Sequence, residues 1–206
     1  MTPRTDIAAP LPPRATAEPG AEPVFRAETA RMLYAHRVVL FTGELDDALG
    51  TEIIARLAML SRENSRADIH LWIQSPGGSV PMMHAIADTI AAIPNDVSTL
   101  ALGWAASAGQ FVLSMGTPGK RLALPHARIL LHQGSSGIGG AAADVELQAG
   151  DLRRVRDTVL GEIARATGQP QERVFEDSLR DRWFSAQEAV DYGLCDRIAD
   201  GAGLLP

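Results

Sequence analysis

The sequence predicts an α/β domain with a largely parallel sheet and flanking helices. Short apolar runs typical of buried strands occur at 38–41, 69–73, 97–102 and 128–131. Segments in which apolar residues recur at helical spacing separate these runs. Strand and helix alternating in this way indicate parallel strands joined by right-handed crossovers. In such folds, ligands and chemistry gather at the carboxyl ends of the strands.

The first two strand-helix units have local start and stop signals. The first apolar run stops at Gly43, and Asp46 or Asp47 can cap the helix that follows. The second run ends at 75–78, where the sequence reads Ser-Pro-Gly-Gly. The helix after it stops before Pro94.

The later units follow the same rhythm. The third run ends at Gly103, and we expect a short helix at 105–115. A long helix is predicted at 142–167, because Gly168 and Pro170 stop it there. Two shorter helices and a closing strand complete the chain. The residues expected on the core side of the long helix are Val145, Leu152, Val155, Val159 and Ile163.

Composition limits the compartment and the partners. With 206 residues, 46% of them hydrophobic, the chain can bury the core of one domain. A net charge of −6 argues against nucleic acid or an anionic membrane as a partner. No apolar run approaches membrane-spanning length, and no basic segment precedes an apolar core at the N-terminus. A lone cysteine, Cys195, permits no intrachain disulfide and is expected to be a small buried apolar residue. We therefore expect a cytoplasmic protein.

The first 23 residues differ in composition from the rest. Six of the 13 prolines lie there: Pro3, Pro10, Pro12, Pro13, Pro19 and Pro23. Such a segment has too little apolar surface to offset its ordering entropy. We expect residues 1–23 to form a disordered Pro/Ala-rich tail or a removable leader, and residues 24–206 to form the folded domain.

Two small-residue motifs follow predicted strands on one edge of the sheet. Ser107 lies within Ala-Ala-Ser-Ala-Gly at a strand-to-helix junction, where backbone N–H groups at the helix N-terminus can stabilise an oxyanion. Gly77 and Gly78 end the neighbouring strand and allow backbone to approach a ligand closely. Alone, either motif is also explained by tight helix packing or an ordinary turn. Together they indicate a nucleophilic serine beside an oxyanion site.

A nucleophilic serine requires a base and a group that orients the base. Among the five histidines, only His132 ends a buried strand on the reactive edge, and the five lack the spacing of a zinc site. Spacing cannot select the carboxylate: Asp177, Asp181 and Asp191 all fall near a helix-to-strand edge.

The sequence resembles the ClpP peptidase family, the proteolytic subunits of ATP-dependent Clp proteases. The matching stretches occur in the family's order from about Val38 to Ile198. They read IQSPGG at 73–78, GWAASAG at 103–109, GKRLALP at 119–125, RILLHQ at 128–133, RDR at 180–182 and SAQEAVDYGL at 185–194. One such motif is weak, whereas the ordered set is highly specific.

The resemblance implies roles for individual residues. Ser107 becomes the nucleophile, His132 the general base and Asp181 the third member of the triad. The backbone N–H groups of Gly78 and Ala108 become the oxyanion donors. No metal or cofactor is implied for this chain, because the partner ATPase uses the ATP.

The resemblance also implies an assembly and a substrate class. The fold is of the ClpP/crotonase type, with a protruding helix-strand handle. The family forms two stacked heptameric rings around a chamber and degrades unfolded polypeptides, which an AAA+ ATPase unfoldase delivers. It cuts mainly after apolar residues.

Four features depart from the family pattern. Trp104 replaces a usual Gln, and Gly134 replaces a usual Pro ahead of a glycine-rich stretch. Leu179 replaces an acidic or polar residue beside Arg180, which suggests weak pairing of identical rings and a role for a paralogous subunit. The segment before Val38 has few recognisable matches.

Two alternatives to an active peptidase stay open. One is a poorly active or structural subunit of a mixed ring, although such subunits typically lose a triad residue. The other is a crotonase-like acyl-CoA enzyme, which shares the fold and needs no serine triad.

Overall fold

A computed structural model describes residues 24–134, 137 and 139–199. The tail or leader expected at 1–23 lies outside the described residues. Along the described chain, the helices are α1 Val24–Ala35, α2 Asp47–Glu63, α3 Val80–Ala92, α4 Ala108–Ser114, α5 Ala142–Thr167, α6 Gln171–Ser178 and α7 Ala186–Tyr192. The strands are β1 Val38–Leu45, β2 Ile69–Gly78, β3 Val97–Ala106, β4 Arg121–Ala123, β5 Arg128–Leu131, β6 Arg182–Ser185 and β7 Arg197–Ile198.

The sheet is largely parallel, as predicted. Its main path runs β1-β2-β3-β4-β7, with every neighbouring pair parallel. Strand β3 forks, because its residues 99–101 pair with β4 whereas residues 104–106 pair with β5. Strand β6 then adds to β5 in antiparallel orientation. The fork separates the end of β3, which leads into α4, from the part of the sheet formed by β4 and β7.

The core lies between one face of the sheet and helices α2, α3 and α4. Along β2, Ile69, Leu71 and Ile73 are fully buried, whereas His70 and Trp72 on the opposite face are only partly covered. This alternation reflects a strand with helices packed on one face within a single chain. Within the described residues, no helix is long and apolar enough to cross a membrane. Cys195 is buried as expected, and burial raises the pKa of its thiol to about 12.

The first strands extend beyond the apolar runs that predicted them. Strand β1 continues through Gly43 to Leu45, and β2 continues to Gly78. Because Leu45 pairs with Gly78 and Ser75 pairs with Ala105, ladder pairing continues across residues of low strand propensity. The prediction that the first strand stops at Gly43 was therefore wrong, and β2 includes the 75–78 stretch at which it was expected to end.

Helix boundaries differ mainly near Ser107. The short helix begins at Ala108 instead of residue 105, because Ala105 and Ala106 pair with β5. Asp46 is the cap of α2, and its carboxylate accepts the Leu49 N–H at 2.8 Å. The long helix at 142–167 was predicted with its observed bounds. Three elements were not predicted: α1, β4 and β6.

Helix α5 is less buried than predicted. Of the five residues expected on its core side, only Ile163 is buried; the buried residues of this helix are Leu160, Ile163 and Ala164. Leu147, in the first half, is 72% exposed. This half therefore projects from the domain, in agreement with the helical part of the expected handle. In the glycine-rich stretch after Gly134, residues 135, 136 and 138 lie outside the described residues, and the strand of the expected handle stays a prediction.

Candidate active site

Ser107 occupies a strained turn between β3 and α4. Its backbone has φ 55° and ψ −118°, and the only other non-glycine residue with positive φ in the described chain is Arg37. Its N–H donates to the Leu130 carbonyl at 3.2 Å, and its carbonyl accepts the Phe111 N–H at 2.9 Å. Such strain costs about 1–3 kcal/mol and persists only where the surroundings enforce it. Here every residue of α4 is buried, so the helix holds the hydroxyl at the sheet edge.

The two glycines have different neighbours. Gly77 has φ 106°, and a β-carbon built there would lie 2.6 Å from the Ser107 β-carbon. At Gly78, with φ 145°, a β-carbon would lie 2.2 Å from the Leu45 carbonyl oxygen. Only glycine fits at either position. Gly77 thus allows β2 to approach Ser107, and Gly78 allows β2 to approach β1.

Backbone donors lie beside Ser107. Ala108 is the first residue of α4, where a helix leaves its N–H without an intrahelical acceptor. The Gly77 N–H already donates to Ser75 Oγ at 3.1 Å, and that hydroxyl donates to the Gly43 carbonyl at 2.6 Å. Of the glycine pair, Gly78 therefore stays the candidate donor, and its role is still a prediction.

His132 and Asp181 are brought together by the register of two strands. The His132 Nδ1 atom lies 3.2 Å from Asp181 Oδ1. Strand β5 ends at Leu131 and β6 begins at Arg182, and these two residues are antiparallel partners. The residue after β5 therefore faces the residue before β6. The contact is partly open to solvent, with side chains 28% and 66% exposed for His132 and Asp181.

The other two candidate carboxylates have other partners. Asp177 accepts the Tyr192 hydroxyl at 2.9 Å and forms an ion pair with Arg182. Asp191 is exposed and accepts the Gln187 amide at 2.9 Å. Neither carboxylate contacts the His132 imidazole. Of the three aspartates that spacing left as candidates, only Asp181 makes this contact.

The remaining histidines lie elsewhere. His36 and His126 are exposed, and His70 lies in β2, where burial lowers its pKa. His84 lies on α3 with Nδ1 3.6 Å from Glu162 Oε2. No cluster of three His, Cys, Asp or Glu side chains suited to a metal ion occurs among the described residues.

A cavity of about 350 Å³ opens beside Ser107 and His132. Helices α3, α4 and α5 supply its walls, which are mostly aliphatic or aromatic. Those apolar residues are Val80, Met83, Phe111, Leu152, Val155, Val159, Leu160 and Ile163. Among the described residues, no hydrogen bond joins Ser107 Oγ to His132, although both line this cavity. Catalytic hydrogen bonds are often long before substrate binds.

Residues not singled out by the sequence hold the segment that carries Asp181. The Gln133 N–H donates to the Ser178 carbonyl at 2.9 Å, and the Gln133 amide donates to Ser178 Oγ at 3.2 Å. At the other end of the turn, Arg182 is paired with Asp177. Asp181 is thus anchored from both sides despite its exposure. The only sequence signal for this role of Gln133 was its position directly after His132.

Trp104 lies at the strand end before Ser107 and stacks on a second tryptophan. Its ring is 6.5 Å from that of Trp183, with 12° between the planes. The Arg128 guanidinium lies 5.7 Å from the centre of the Trp183 ring. The Trp104 side chain is therefore stacked on a residue of β6, and it is not among the residues that line the cavity.

The chain is similar to known proteins over most of its length. A family model described as Clp protease matches residues 23–202, which includes part of the segment before Val38 where few family matches were recognised. The chain is 49% identical to the ATP-dependent Clp protease proteolytic subunit 1 of Streptomyces avermitilis, over 97% of this chain and 93% of that protein. It is 48% identical to the proteolytic subunit 3 of Streptomyces coelicolor, over 96% and 92%. It is 47% identical to the proteolytic subunit 2 of Thermobifida fusca, over 83% and 84%.

Proposed function

We propose, because the chain belongs to the Clp protease family, that this protease subunit is a serine endopeptidase with Ser107, His132 and Asp181 as its triad. The observation that carries the proposal is the 3.2 Å contact between His132 Nδ1 and Asp181 Oδ1 at the mouth of the cavity that Ser107 lines. The relatives named as protease subunits argue against the alternative of an acyl-CoA enzyme.

The proposed mechanism proceeds through an acyl-enzyme. Ser107 Oγ attacks the peptide carbonyl while His132 Nε2 takes its proton, and Asp181 holds the imidazole tautomer through Nδ1. The N–H groups of Gly78 and Ala108 stabilise the oxyanion. His132 then gives its proton to the leaving amine, which is the new N-terminus of the departing C-terminal fragment. A water molecule, deprotonated by His132, hydrolyses the ester and restores the Ser107 hydroxyl.

The substrates that fit this site are unfolded polypeptides. The apolar cavity accepts an apolar side chain, whose burial contributes roughly 1.5–3 kcal/mol to binding. We further propose that the subunit acts in the cytoplasm inside two stacked heptameric rings, served by an AAA+ ATPase unfoldase. The names of the relatives, which describe subunits of ATP-dependent proteases, support this partner class.

We also propose that a paralogous subunit shares the rings. Leu179 is 54% exposed, and the neighbouring Arg180 has no ion pair among the described residues. Arg180 is thus available to a carboxylate on another chain. Sedimentation of the purified protein, alone and mixed with a paralogue, tests this. A stable, peptidase-active double ring made of this chain alone would refute the need for a paralogue.

The deciding experiment asks whether Ser107 is activated. A fluorophosphonate probe should label Ser107, as located by peptide mapping, and Ser107→Ala should lower hydrolysis of a short apolar peptide by about 10⁴-fold or more. Ser65→Ala is the matched control, because Ser65 is an exposed serine in the turn after α2. Near-normal turnover by Ser107→Ala would disprove the assignment. Absence of labelling both alone and with a paralogue would favour the structural-subunit alternative.

A further inference from the structure

Arginines interrupt the apolar lining of the cavity beside Ser107. Helix α5 supplies four aliphatic side chains from 152–160 to the wall, and it also supplies Arg153 and Arg156. An arginine at the edge of an apolar cavity places a positive charge where water is partly excluded. A charge is felt more strongly there than in bulk solvent.

The two arginines differ in how their charge is compensated. Arg156 donates to Asp157 Oδ1 at 2.8 Å, and its guanidinium lies 5.4 Å from the centre of the Phe175 ring. Arg153 is exposed and has no carboxylate within ion-pair distance among the described residues. The positive charge of the cavity edge therefore belongs mainly to Arg153.

The next residue along the helix provides a comparison. Arg154 carries the same charge but faces elsewhere: it does not line the cavity, and it pairs with Asp151 at 3.2 Å. Arg153 and Arg154 are thus neighbours on one helix with nearly the same backbone environment, but only Arg153 lines the cavity. An effect of the protein's net charge on substrate binding would therefore be the same for Arg153 and for Arg154.

We propose that Arg153 is a specificity-determining residue that selects peptides with an Asp or Glu side chain within two residues of the apolar side chain that fills the cavity. The inference rests on the proposed peptidase function, because it assigns a subsite beside Ser107. An acidic side chain gains Coulomb attraction from the uncompensated guanidinium, and a lysine at the same place is repelled. The preference weakens as salt screens the charges.

The test measures binding, so that it does not depend on turnover. Three dye-labelled peptides share one apolar anchor and differ only in a flanking Glu, Gln or Lys, and fluorescence anisotropy gives each Kd on full-length Ser107→Ala protein. At low salt we expect the Glu peptide to bind about fivefold more tightly than the Lys peptide. The ratio should approach one at ~0.5 M salt.

Variants distinguish the local charge of Arg153 from the overall electrostatic field of the protein. Arg153→Gln should remove the Glu/Lys discrimination and Arg153→Glu should reverse it, whereas Arg154→Gln should leave it unchanged. Equal Kd values for the Glu and Lys peptides, or discrimination that survives Arg153→Gln, would overturn the proposal. An equal loss with Arg154→Gln would do the same, because it would assign the effect to net charge.

The peptidase assignment and the Arg153 subsite can be refuted independently of each other. If wild-type protein, alone and mixed with a paralogue, cleaves none of the peptides while Ser107→Ala still discriminates through Arg153, the subsite stands and the peptidase assignment fails. If wild-type protein cleaves all three equally and binding shows no discrimination, the peptidase assignment stands and the subsite is wrong.

Discussion

Replacing Gly77 with alanine should separate catalysis from folding. A β-carbon at this position would lie 2.6 Å from the Ser107 β-carbon, 3.0 Å from the Ala106 carbonyl oxygen and 3.1 Å from the Ala108 nitrogen. Ordinary contacts of this kind begin near 3.4 Å. Either β2 or the Ser107 turn must therefore move, and the buried helix α4 holds Ser107 in place on its other side.

The expected loss has two parts. Alanine at a φ of 106° costs roughly 1–2 kcal/mol of stability through backbone strain alone. The second part acts on chemistry, because displacing a reacting group by about 1 Å lowers the rate by about 100-fold. We therefore expect kcat/KM for a short apolar peptide to fall about 100-fold, with fluorophosphonate labelling of Ser107 slowed to a similar degree.

A second glycine provides the matched control. Gly119 has a φ of 84°, and a β-carbon there would meet no atom within 4 Å. Gly119→Ala thus carries comparable backbone strain without contact to the active site. Gly77→Ala should lose more thermal stability than Gly119→Ala, because it adds steric overlap to the backbone strain, and at equal folded fraction only Gly77→Ala should lose activity. Activity of Gly77→Ala within threefold of Gly119→Ala, at equal folded fraction, would refute the close packing of Gly77 on Ser107.

Two further predictions concern carboxylates. Asp181→Asn should lower kcat by about 10⁴-fold, because the histidine is then held in the wrong tautomer. Asp177→Asn and Asp191→Asn should cause smaller losses in the same peptide assay. A larger loss from either of these two would assign the third triad role to that residue instead of Asp181. Asp196 pairs with buried Arg121, and Asp196→Asn should destabilise the fold by about 3 kcal/mol in urea unfolding at pH 7. Burial opposes ionisation of Asp196, but the hydrogen bonds from Arg121 prevail and hold its pKa below the ordinary value. The stabilisation is therefore present above the unfolded-state pKa and is lost as pH falls through the folded one, so the difference between wild type and variant should shrink in acid. A difference that grew in acid would contradict this.

Local sequence determined the class of the fold and the place of the candidate nucleophile. Apolar runs, glycines and proline stops are local signals, so the alternation of strands and helices was readable, and the bounds of α5 were predicted correctly. Ser107 and His132 each follow a buried strand, and that position depends only on nearby residues. Ladder pairing between distant segments was not readable, and β1, β2 and β3 therefore extend further than predicted.

The tertiary structure decided which residues meet. Spacing left Asp177, Asp181 and Asp191 equal, and family resemblance pointed to Asp181. The physical reason for its contact with His132 is the antiparallel register in which Leu131 faces Arg182. In the same way, two adjacent glycines look equivalent in sequence, yet only Gly77 contacts Ser107, because the pleat of β2 turns Gly78 toward Leu45. Such choices depend on pairing between residues far apart in the chain, which no local pattern encodes.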